Sequence, residues 1–408
     1  MSPAAGGRLS LARLLDPDIL ADPYPLYHRL RTESPVHWDP FLHAWVVTRY
    51  ADVVTVLQRC SAARTPTPEQ LTTIGLASLA PIAAVMVRQM LFLDPPAHTR
   101  IRALASHAFT PREVERLRGD IQRIADELLD AVIEHGRLDV LADLAAPLPA
   151  IVTARMLGVP TEDHRQLKQW SAAFAEVLGN FQHNPDHAAD MLKSTEAMSE
   201  YFRLAIREQR RRPRPGLVRA LLEAEVEGDR FTEDEVIANC IITMVGGQET
   251  TTNLIGNGVA ALLHHPAQLE RLRRDPGLLG SAVEELLRFE SPSQHTARLA
   301  REDFVLGGQR IRHRQAVIAV MGAANRDPAR FPDPDRLDLA RTDNRHLAFG
   351  WAAHFCFGAP LARLEGQLVI ATMLQRLTDL RIESPHLQWR TNLGLRGLTA
   401  LSIGFSRA

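Results

Sequence analysis

The sequence predicts a mainly α-helical protein with a minor β-sheet region. Apolar residues recur at three- and four-residue spacing over long stretches, which is the period of an amphipathic helix. Strand-like runs are few and short, at residues 45–47, 315–320 and 398–405. The alternation of strands and helices that builds a doubly wound parallel sheet is missing. These three observations favour helices packed around a large core with a small sheet beside it.

The longest candidate for a membrane-spanning helix is a weakly charged run at residues 76–87. It is shorter than the roughly 18 apolar residues that a membrane-spanning helix needs, and it contains Pro81. The N-terminal residues lack the basic and then apolar pattern of a secretory signal. We therefore expect a cytoplasmic protein without membrane insertion.

Two helices have recognisable N-terminal signals. Thr110 and Glu113 form a capping box with proline at the first helical position, and apolar residues at helical spacing continue over 114–132. A second capping box, Thr232 with Glu235, opens a pattern without proline that continues to about residue 264. It predicts one helix of about 30 residues, or ~45 Å, which is long enough to cross a whole domain.

Charge and cysteine content exclude several functional classes. The formal net charge is −1, so no overall field attracts nucleic acid or anionic lipid. Cys60, Cys240 and Cys356 are too widely spaced for a disulfide framework or a paired-cysteine metal site. No repeat or Gly/Ser-rich linker divides the chain, so residues 1–408 are expected to form a single domain. The basic cluster at residues 207–214 is explained by a helix C-terminus in solvent.

The residues around Cys356 carry the strongest chemical signal. The segment from Phe349 to Gly358 reads Phe-Gly-Trp-Ala-Ala-His-Phe-Cys-Phe-Gly, and a helical pattern follows it. A cysteine at the start of a helix faces unpaired backbone N–H groups and the positive end of the helix dipole, which stabilise a thiolate. A thiolate binds metal, whereas an isolated cysteine is more often a small buried apolar residue.

This segment resembles the cysteine-loop motif of the cytochromes P450, Phe-Gly-x-Gly-x-His-x-Cys-x-Gly, at five of its six fixed positions. The resemblance implies the cytochrome P450 fold, with a long central helix over the haem. It also implies haem b as cofactor, Cys356 as the axial iron ligand, and cofactor contacts from Phe349, Gly358 and His354, the last to a propionate. Ala352 departs from the motif's glycine, and a left-handed backbone there would cost about 1 kcal/mol.

Further motifs follow the family's order over nearly the whole chain. The segment that contains His98 and Arg102 resembles the helix that meets the haem propionates, and the two residues share one helical face. Arg298 lies in a segment that resembles the one passing beside the haem, which implies a pairing with a propionate. Taken alone, His98 and Arg102 would be a solvent-exposed pair.

Glu285 and Arg288 match the family's Glu-x-x-Arg motif. The resemblance implies a structural role, in which the two side chains lie together and brace a meander. Residues 325–334, rich in proline and aspartate, are the segment that would form it. A lone Glu-x-x-Arg tetrapeptide is a weak signal, because most such pairs are exposed ion pairs.

The predicted long helix contains Gly246, Gly247, Gln248, Glu249 and Thr250, similar to the family's oxygen-activation motif. Each glycine inside a helix costs nearly 1 kcal/mol relative to alanine, so close helix packing or an opened groove is the expected compensation. The resemblance implies that Gly246 and Gly247 lie beside the haem. It makes Glu249 and Thr250 catalytic: Thr250 hydrogen-bonds during oxygen activation and Glu249 relays protons.

The resemblance implies a haem-thiolate monooxygenase that inserts one oxygen atom of O₂ into a lipophilic small molecule. A thiolate ligand donates electron density to the iron and favours O–O cleavage. Hydroxylation or epoxidation in secondary-metabolite biosynthesis is the preferred interpretation. Residues 65–90, 174–185 and 293–299 would shape the substrate site, and polyketides, terpenoids and acyl or aminoacyl groups tethered to a carrier protein all remain open.

The sequence contains no flavin or iron–sulfur motif. Electrons are therefore expected from a separate ferredoxin or flavodoxin, with Arg102, Arg112 and Arg363 as candidates for its docking face. A monomer is expected. Two alternatives remain open: a P450-type enzyme for oxidative coupling, desaturation or peroxide-driven chemistry, and a non-catalytic haem sensor or carrier.

Overall fold

Helices form most of the architecture. The computed structural model describes residues 9–179, 185–384 and 386–408. The α-helices in the first half are α1 Pro17–Ala21, α2 Tyr24–Glu33, α3 Tyr50–Arg59, α4 Pro68–Thr73, α5 Ala80–Met86, α6 Ala97–Ala108, α7 Pro111–Arg116, α8 Arg118–Asp130, α9 Pro147–Leu157, α10 His164–Gly179 and α11 Pro185–Arg211. Those in the second half are α12 Leu217–Glu223, α13 Glu233–His264, α14 Pro266–Arg274, α15 Leu279–Phe289, α16 Met321–Ala324 and α17 Ala359–Arg376.

The long helix α13 is confirmed at 32 residues. Its capping box is complete: the backbone N–H of Glu235 donates to Thr232 Oγ1 at 3.3 Å, and that of Thr232 donates to Glu235 Oε2 at 2.8 Å. Most of α13 is buried, and it packs against α9, α10, α11, α15 and α17. A helix surrounded in this way is the central element of the core, and it fixes where its own side chains lie relative to α17.

The helix predicted from Thr110 is interrupted. Thr110 caps α7 and accepts from the backbone N–H of Glu113 at 3.3 Å, but Glu113 pairs with Arg116 instead of completing the box. Helix α7 ends at Arg116, and α8 starts after Leu117. Gly119 lies at this junction, where its low helix propensity favours a break. The apolar spacing continues through the break, so it did not reveal the interruption at Leu117.

The described residues form four small sheets beside the helices, two of them with only two strands. The strands are β1 Val36–Asp39, β2 Ala44–Val47, β3 Arg137–Asp139, β4 Glu225–Val226, β5 Asp229–Arg230, β6 Thr296–Leu299, β7 Phe304–Leu306, β8 Gln309–Ile311, β9 Ala316–Ala319, β10 Leu377–Ile382 and β11 Ser402–Arg407. The larger sheet has the order β1-β2-β9-β6, with β2 and β9 parallel, and a three-stranded sheet has the order β10-β11-β3. All three predicted strands exist, although the last begins four residues later than expected.

One long apolar stretch was not predicted from the sequence. Val140–Leu157 is an 18-residue helical stretch with mean hydropathy 1.5, long and apolar enough by composition to cross a membrane. Within the protein 67% of it is buried, and it packs against α8 and α13. The expectation that residues 76–87 are the longest such run was therefore wrong. Burial by neighbouring helices is typical of a core helix, which passes the same composition test.

The Glu-x-x-Arg pair holds the irregular segment that precedes the cysteine loop. Glu285 and Arg288 are fully buried, and two parallel hydrogen bonds of 2.8 Å join them. Arg288 also donates to the backbone carbonyls of Asn325 (2.9 Å), Pro334 (2.7 Å) and Arg336 (3.1 Å). Residues 325–334 contain neither an α-helix nor a strand, as predicted. This pair thereby replaces the hydrogen bonds that regular structure would have given the segment.

Candidate haem-thiolate site

The loop that carries Cys356 is closed by its own backbone. The N–H of Cys356 donates to the carbonyl of Phe349 at 2.8 Å, and that of Gly350 donates to the carbonyl of Leu347 at 2.8 Å. Gly350 has φ +72°, a left-handed conformation that glycine adopts without strain. The N–H of Leu347 in turn donates to the Asn325 side chain at 2.7 Å. The loop is therefore anchored to the segment that Arg288 holds.

Cys356 lies just before α17, as the sequence predicts. Burial raises the pKa of its thiol, and four groups oppose this: the backbone N–H groups of Gly358 and Ala359 and the positive charges of Arg102 and Arg363. These are the helix N-terminus and the cations that favour a thiolate. Phe349 is buried nearby, with the Arg363 guanidinium 4.6 Å from its ring centroid. Cys60 and Cys240 are buried elsewhere, in two separate apolar clusters.

Ala352 occupies a left-handed backbone conformation, with φ +56°. This is the conformation that the motif's glycine accommodates freely and that alanine adopts at a cost. We expect Ala352→Gly to raise the free energy of unfolding by up to about 1 kcal/mol. Urea unfolding of the variant beside the parent protein measures this directly. Ala353→Gly, at the next position of the loop, is the matched control and is expected to lower stability slightly; a loss of stability in Ala352→Gly would contradict the prediction.

Three of the expected propionate contacts converge in space. The rings of His98, on α6, and His354 lie 4.2 Å apart between centroids. Burial lowers the pKa of His354 to about 3, with further lowering from His98, Arg298 and Arg64. Arg298 is buried, and burial lowers its pKa to about 10. The structure therefore gathers cationic and hydrogen-bonding side chains into one buried place.

Two buried nitrogen atoms of this cluster have no partner in the described part of the chain, His98 Nε2 and Arg298 Nε. Arg298 otherwise donates only to Thr296 Oγ1 and the carbonyl of Ala297, at 2.8 and 2.9 Å. Buried donors without acceptors are costly, and a guanidinium suits a carboxylate particularly well. The residues present therefore fit the two propionate carboxylates of haem b.

Arg102 and Arg363 are already engaged within the protein. Arg102 donates to the carbonyl of Phe355 at 3.0 Å, and its guanidinium lies 5.1 Å from the Phe357 ring centroid. Arg363 makes two hydrogen bonds with Glu284, at 2.6 and 2.8 Å. Both cations therefore stabilise the cysteine side of the site. Arg112, the third candidate for electron-donor docking, is exposed and makes no hydrogen bond or ion pair among the described residues.

The two glycines of α13 lie in different environments. A Cβ atom on Gly246 would meet nothing within 4 Å, whereas one on Gly247 would lie 3.1 Å from Thr153 Oγ1 of α9. Gly246 therefore leaves an open face, and Gly247 permits close helix packing. The Thr250 hydroxyl donates to the carbonyl of Gly246, one turn earlier, at 2.6 Å. The close packing expected from the sequence therefore occurs at Gly247, while the helix stays continuous through Gly246.

Glu249 has a partner that the sequence analysis missed. It is 3% exposed, and its Oε2 accepts from Arg390 at 2.7 Å, while its Oε1 has no partner in the described residues. Burial lowers the pKa of Lys168, and Glu249 opposes this, so Lys168 also lies within electrostatic reach. Arg390 is separated from Glu249 by 141 residues and belongs to no recognised motif, so no sequence signal pointed to it.

A cysteine before a helix N-terminus, a buried cationic cluster beside it and a central helix with open space beside Gly246 define a haem-thiolate protein. Comparison with known proteins identifies the family. The family model described as Cytochrome P450 matches residues 44–276 and 277–386 of this chain. This chain therefore belongs to the cytochrome P450 family. It is a monooxygenase of the P450 class, and its cofactor is haem b with a cysteine thiolate as axial ligand.

Relatives cover nearly the entire chain. A biotin biosynthesis cytochrome P450 of Bacillus subtilis is 39% identical over 95% of this chain and 97% of its own length. The cytochrome P450 monooxygenase PikC of Streptomyces venezuelae is 40% identical over 96% of this chain and 93% of its own. The crystal structure of P450BioI in complex with hexadec-9Z-enoic acid ligated acyl carrier protein superposes with a TM-score of 0.90, at 38% identity, covering 96% of this chain and 99% of that one. The predicted fold is thereby confirmed.

Proposed function

We propose that this P450 inserts one oxygen atom of O₂ into a lipophilic small molecule, by hydroxylation or epoxidation, in a secondary-metabolite pathway. The observation that carries the proposal is the turn of α13 at Gly246, where an open face, the Thr250 hydroxyl and the buried carboxylate of Glu249 lie together. Bound haem with its thiolate supplies the activation of O₂. One oxygen atom enters the substrate, and the other leaves as water after two electrons and two protons arrive.

Each proposed site residue has a distinct task. Cys356 ligates the iron, and Phe349 and Gly358 shape the loop that presents its sulfur. His98, Arg102, His354 and Arg298 hold the propionates. Glu285 and Arg288 keep the loop in position.

Proton delivery is assigned to Thr250 and Glu249. The Thr250 oxygen donates to Gly246 in the structure and retains lone pairs that can accept a hydrogen bond. Glu249 has one carboxylate oxygen held by Arg390 and one without a partner among the described residues. A carboxylate with one uncommitted oxygen can take up a proton and pass it on, which is the requirement for a general acid–base group.

Thr250→Ala is expected to divert reducing equivalents from product to hydrogen peroxide, because the hydroxyl that steers protons is lost. We expect at least a several-fold drop in product formed per reductant consumed, with haem content unchanged. Thr250→Ser is the matched control, because it keeps the hydroxyl and should stay near the parent value. Normal coupling in Thr250→Ala would refute the proton-delivery role.

The proposed substrate is a lipophilic chain or ring, either free or tethered to a carrier protein. Relatives described as acting in biotin and polyketide biosynthesis support this class, as does the structural neighbour complexed with an acyl-loaded carrier protein. The segments proposed to enclose the substrate lie at residues 65–90, 174–185 and 293–299; residues 180–184 of these fall outside the described residues. Titrating a panel of free and carrier-bound precursors while the Soret band is recorded tests the proposal, since a bound substrate displaces water from the iron and shifts its spin state.

The alternatives predict different outcomes. A peroxide-driven, desaturating or coupling enzyme would give a product without the inserted oxygen, or would turn over with hydrogen peroxide as well as with O₂ and an electron donor. A haem sensor or carrier would show no turnover with any electron source. Analysis of products formed under ¹⁸O₂ separates these cases, and the α13 turn favours the monooxygenase.

We propose that electrons come from a separate ferredoxin or flavodoxin that docks near the start of α7, where Arg112 is exposed. Arg112→Ser is expected to slow reduction by a few-fold at low salt and to have little effect at high salt, because such steering is screened. Arg211→Ser, an exposed arginine near the end of α11, is the control. An equal effect of both substitutions would argue against docking at α7.

We also propose that the protein is a cytoplasmic monomer and that its residues 1–408 form one domain. All three cysteines are free, which fits a reducing compartment.

A further inference from the structure

We propose that Arg64 binds a propionate carboxylate of the haem, beside Arg298. Arg64 belongs to no motif recognised in the sequence, and it lies far from the cysteine loop along the chain. Arg64 would thereby help to hold the established cofactor, and this role does not depend on which substrate binds.

A backbone bridge brings Arg64 to this position. The N–H of Ser61 donates to the carbonyl of Leu299 at 2.7 Å, and the N–H of Leu299 donates to the carbonyl of Ser61 at 3.0 Å. Leu299 is the residue after Arg298 on β6. Three residues beyond the bridge, Arg64 is close enough for its charge to affect both Arg298 and His354.

Arg64 has little to satisfy its charge in the described residues. Its guanidinium lies 4.6 Å from the Phe92 ring centroid and makes one long hydrogen bond, 3.3 Å, to the carbonyl of Ala62. Burial, followed by the charge of Arg298, lowers the pKa of Arg64 to about 9. A desolvated cation within electrostatic reach of a second cation is unfavourable unless an anion neutralises the charge.

The nearby carboxylate is already committed. Asp94 accepts from the Ser61 hydroxyl and from the backbone N–H of Ala62 at 2.9 Å, and it pairs with Arg301 at 2.8 Å. No ion pair joins Asp94 to Arg64 or Arg298 in the described part of the chain. No carboxylate of the described residues therefore pairs with either guanidinium, although the two lie within electrostatic reach of each other.

Haem b carries two propionate carboxylates, and each carboxylate can accept from more than one guanidinium. Arg298 has an uncommitted Nε, and Arg64 has most of its five donors uncommitted. Arg102 makes one hydrogen bond, to the carbonyl of Phe355, and keeps other donors for a propionate. Arg64 can therefore share the propionate charge with Arg298 as an additional contact.

The test compares haem retention in three variants. Arg64→Met keeps an unbranched side chain of similar length but removes the charge, Arg64→Lys keeps the charge, and Arg59→Met removes an exposed arginine nearby that pairs with Glu302. Holoprotein is mixed with excess apo-globin as a haem acceptor, and the transfer rate is followed spectroscopically. We expect Arg64→Met to lose haem about tenfold faster than the parent, Arg64→Lys only a few-fold faster, and Arg59→Met at the parent rate.

Haem dimethyl ester, in which both propionates are esterified, separates carboxylate binding from packing. Reconstituted with it, the parent and Arg64→Met are expected to lose haem at equal rates, because the anion that Arg64 binds has gone. A tenfold difference that persists with the ester would overturn the proposal, as would a parent-like rate for Arg64→Met with ordinary haem. If Arg64→Met does not fold, Arg64→Gln carries the same comparison.

Discussion

Cys356→Ser is expected to abolish the thiolate signature in the carbon monoxide difference spectrum and to remove monooxygenase activity. A serine hydroxyl in the same loop is not deprotonated by a helix N-terminus and two arginines, so it cannot donate electron density as the thiolate does. The propionate contacts proposed for His98, Arg298 and His354 do not involve the sulfur. Haem should therefore still bind, more weakly, and only the ligand-dependent part of its spectrum should vanish.

The other two cysteines provide the controls. Cys60 and Cys240 are buried among apolar side chains, and burial raises the pKa of both thiols, to about 11 for Cys60. Cys60→Ala and Cys240→Ala are expected to leave the haem spectrum unchanged, with a modest loss of stability at most. Retention of the thiolate spectrum in Cys356→Ser would refute the ligand assignment.

Arg288→Met is expected to destabilise the fold by about 3–5 kcal/mol, the usual consequence of removing one partner from a buried ion pair. Glu285 would stay buried without its bidentate partner, although Arg341 and Asn344 still donate to it. The carbonyls of Asn325, Pro334 and Arg336 would lose their donor. Because this segment anchors the cysteine loop through Asn325, haem content should fall together with the urea midpoint.

The chain offers a matched control with the same spacing. Glu200 and Arg203, on α11, form a second Glu-x-x-Arg pair, with a 2.6 Å contact and side chains that are 54% and 36% exposed. Arg203→Met is expected to change stability by less than about 1 kcal/mol, as for other exposed pairs. Equal effects of the two substitutions would show that Arg288 does not brace the meander.

Much of the fold could be predicted because its signals are local. The Thr232–Glu235 box and the absence of proline predicted α13 nearly to the residue, since capping and helix propensity act within a few positions. The break at Leu117 was missed because the apolar spacing continues through it. Eight of the eleven described strands, among them β3, β6 and β10, were also missed, because short strands are stabilised by partners distant in sequence, as in the pairing of Arg137 with Gly404.

The residues of the site also fall into two groups, those with a local sequence signal and those without one. Motif spacing identified Cys356, Thr250 and Glu249, because that chemistry needs particular residue types at fixed intervals. Arg390, which pairs with Glu249, and Arg64, which we propose as a propionate contact, could not be found in this manner, since each belongs to no motif and is positioned by contacts between residues distant in sequence. The motif alone did not show whether Ala352 has a left-handed backbone conformation. The φ angle in the structure established it.

The sequence by itself determined the family, the helical class, the cysteine that can ligate iron and the helix that carries the oxygen-activation motif. The tertiary structure decided what each polar residue faces. Glu285–Arg288 and Glu200–Arg203 have the same tetrapeptide pattern, yet the first is fully buried and the second is exposed. The physical reason is that burial and charge pairing depend on the whole surroundings of a side chain, and those surroundings are built by residues far away in sequence.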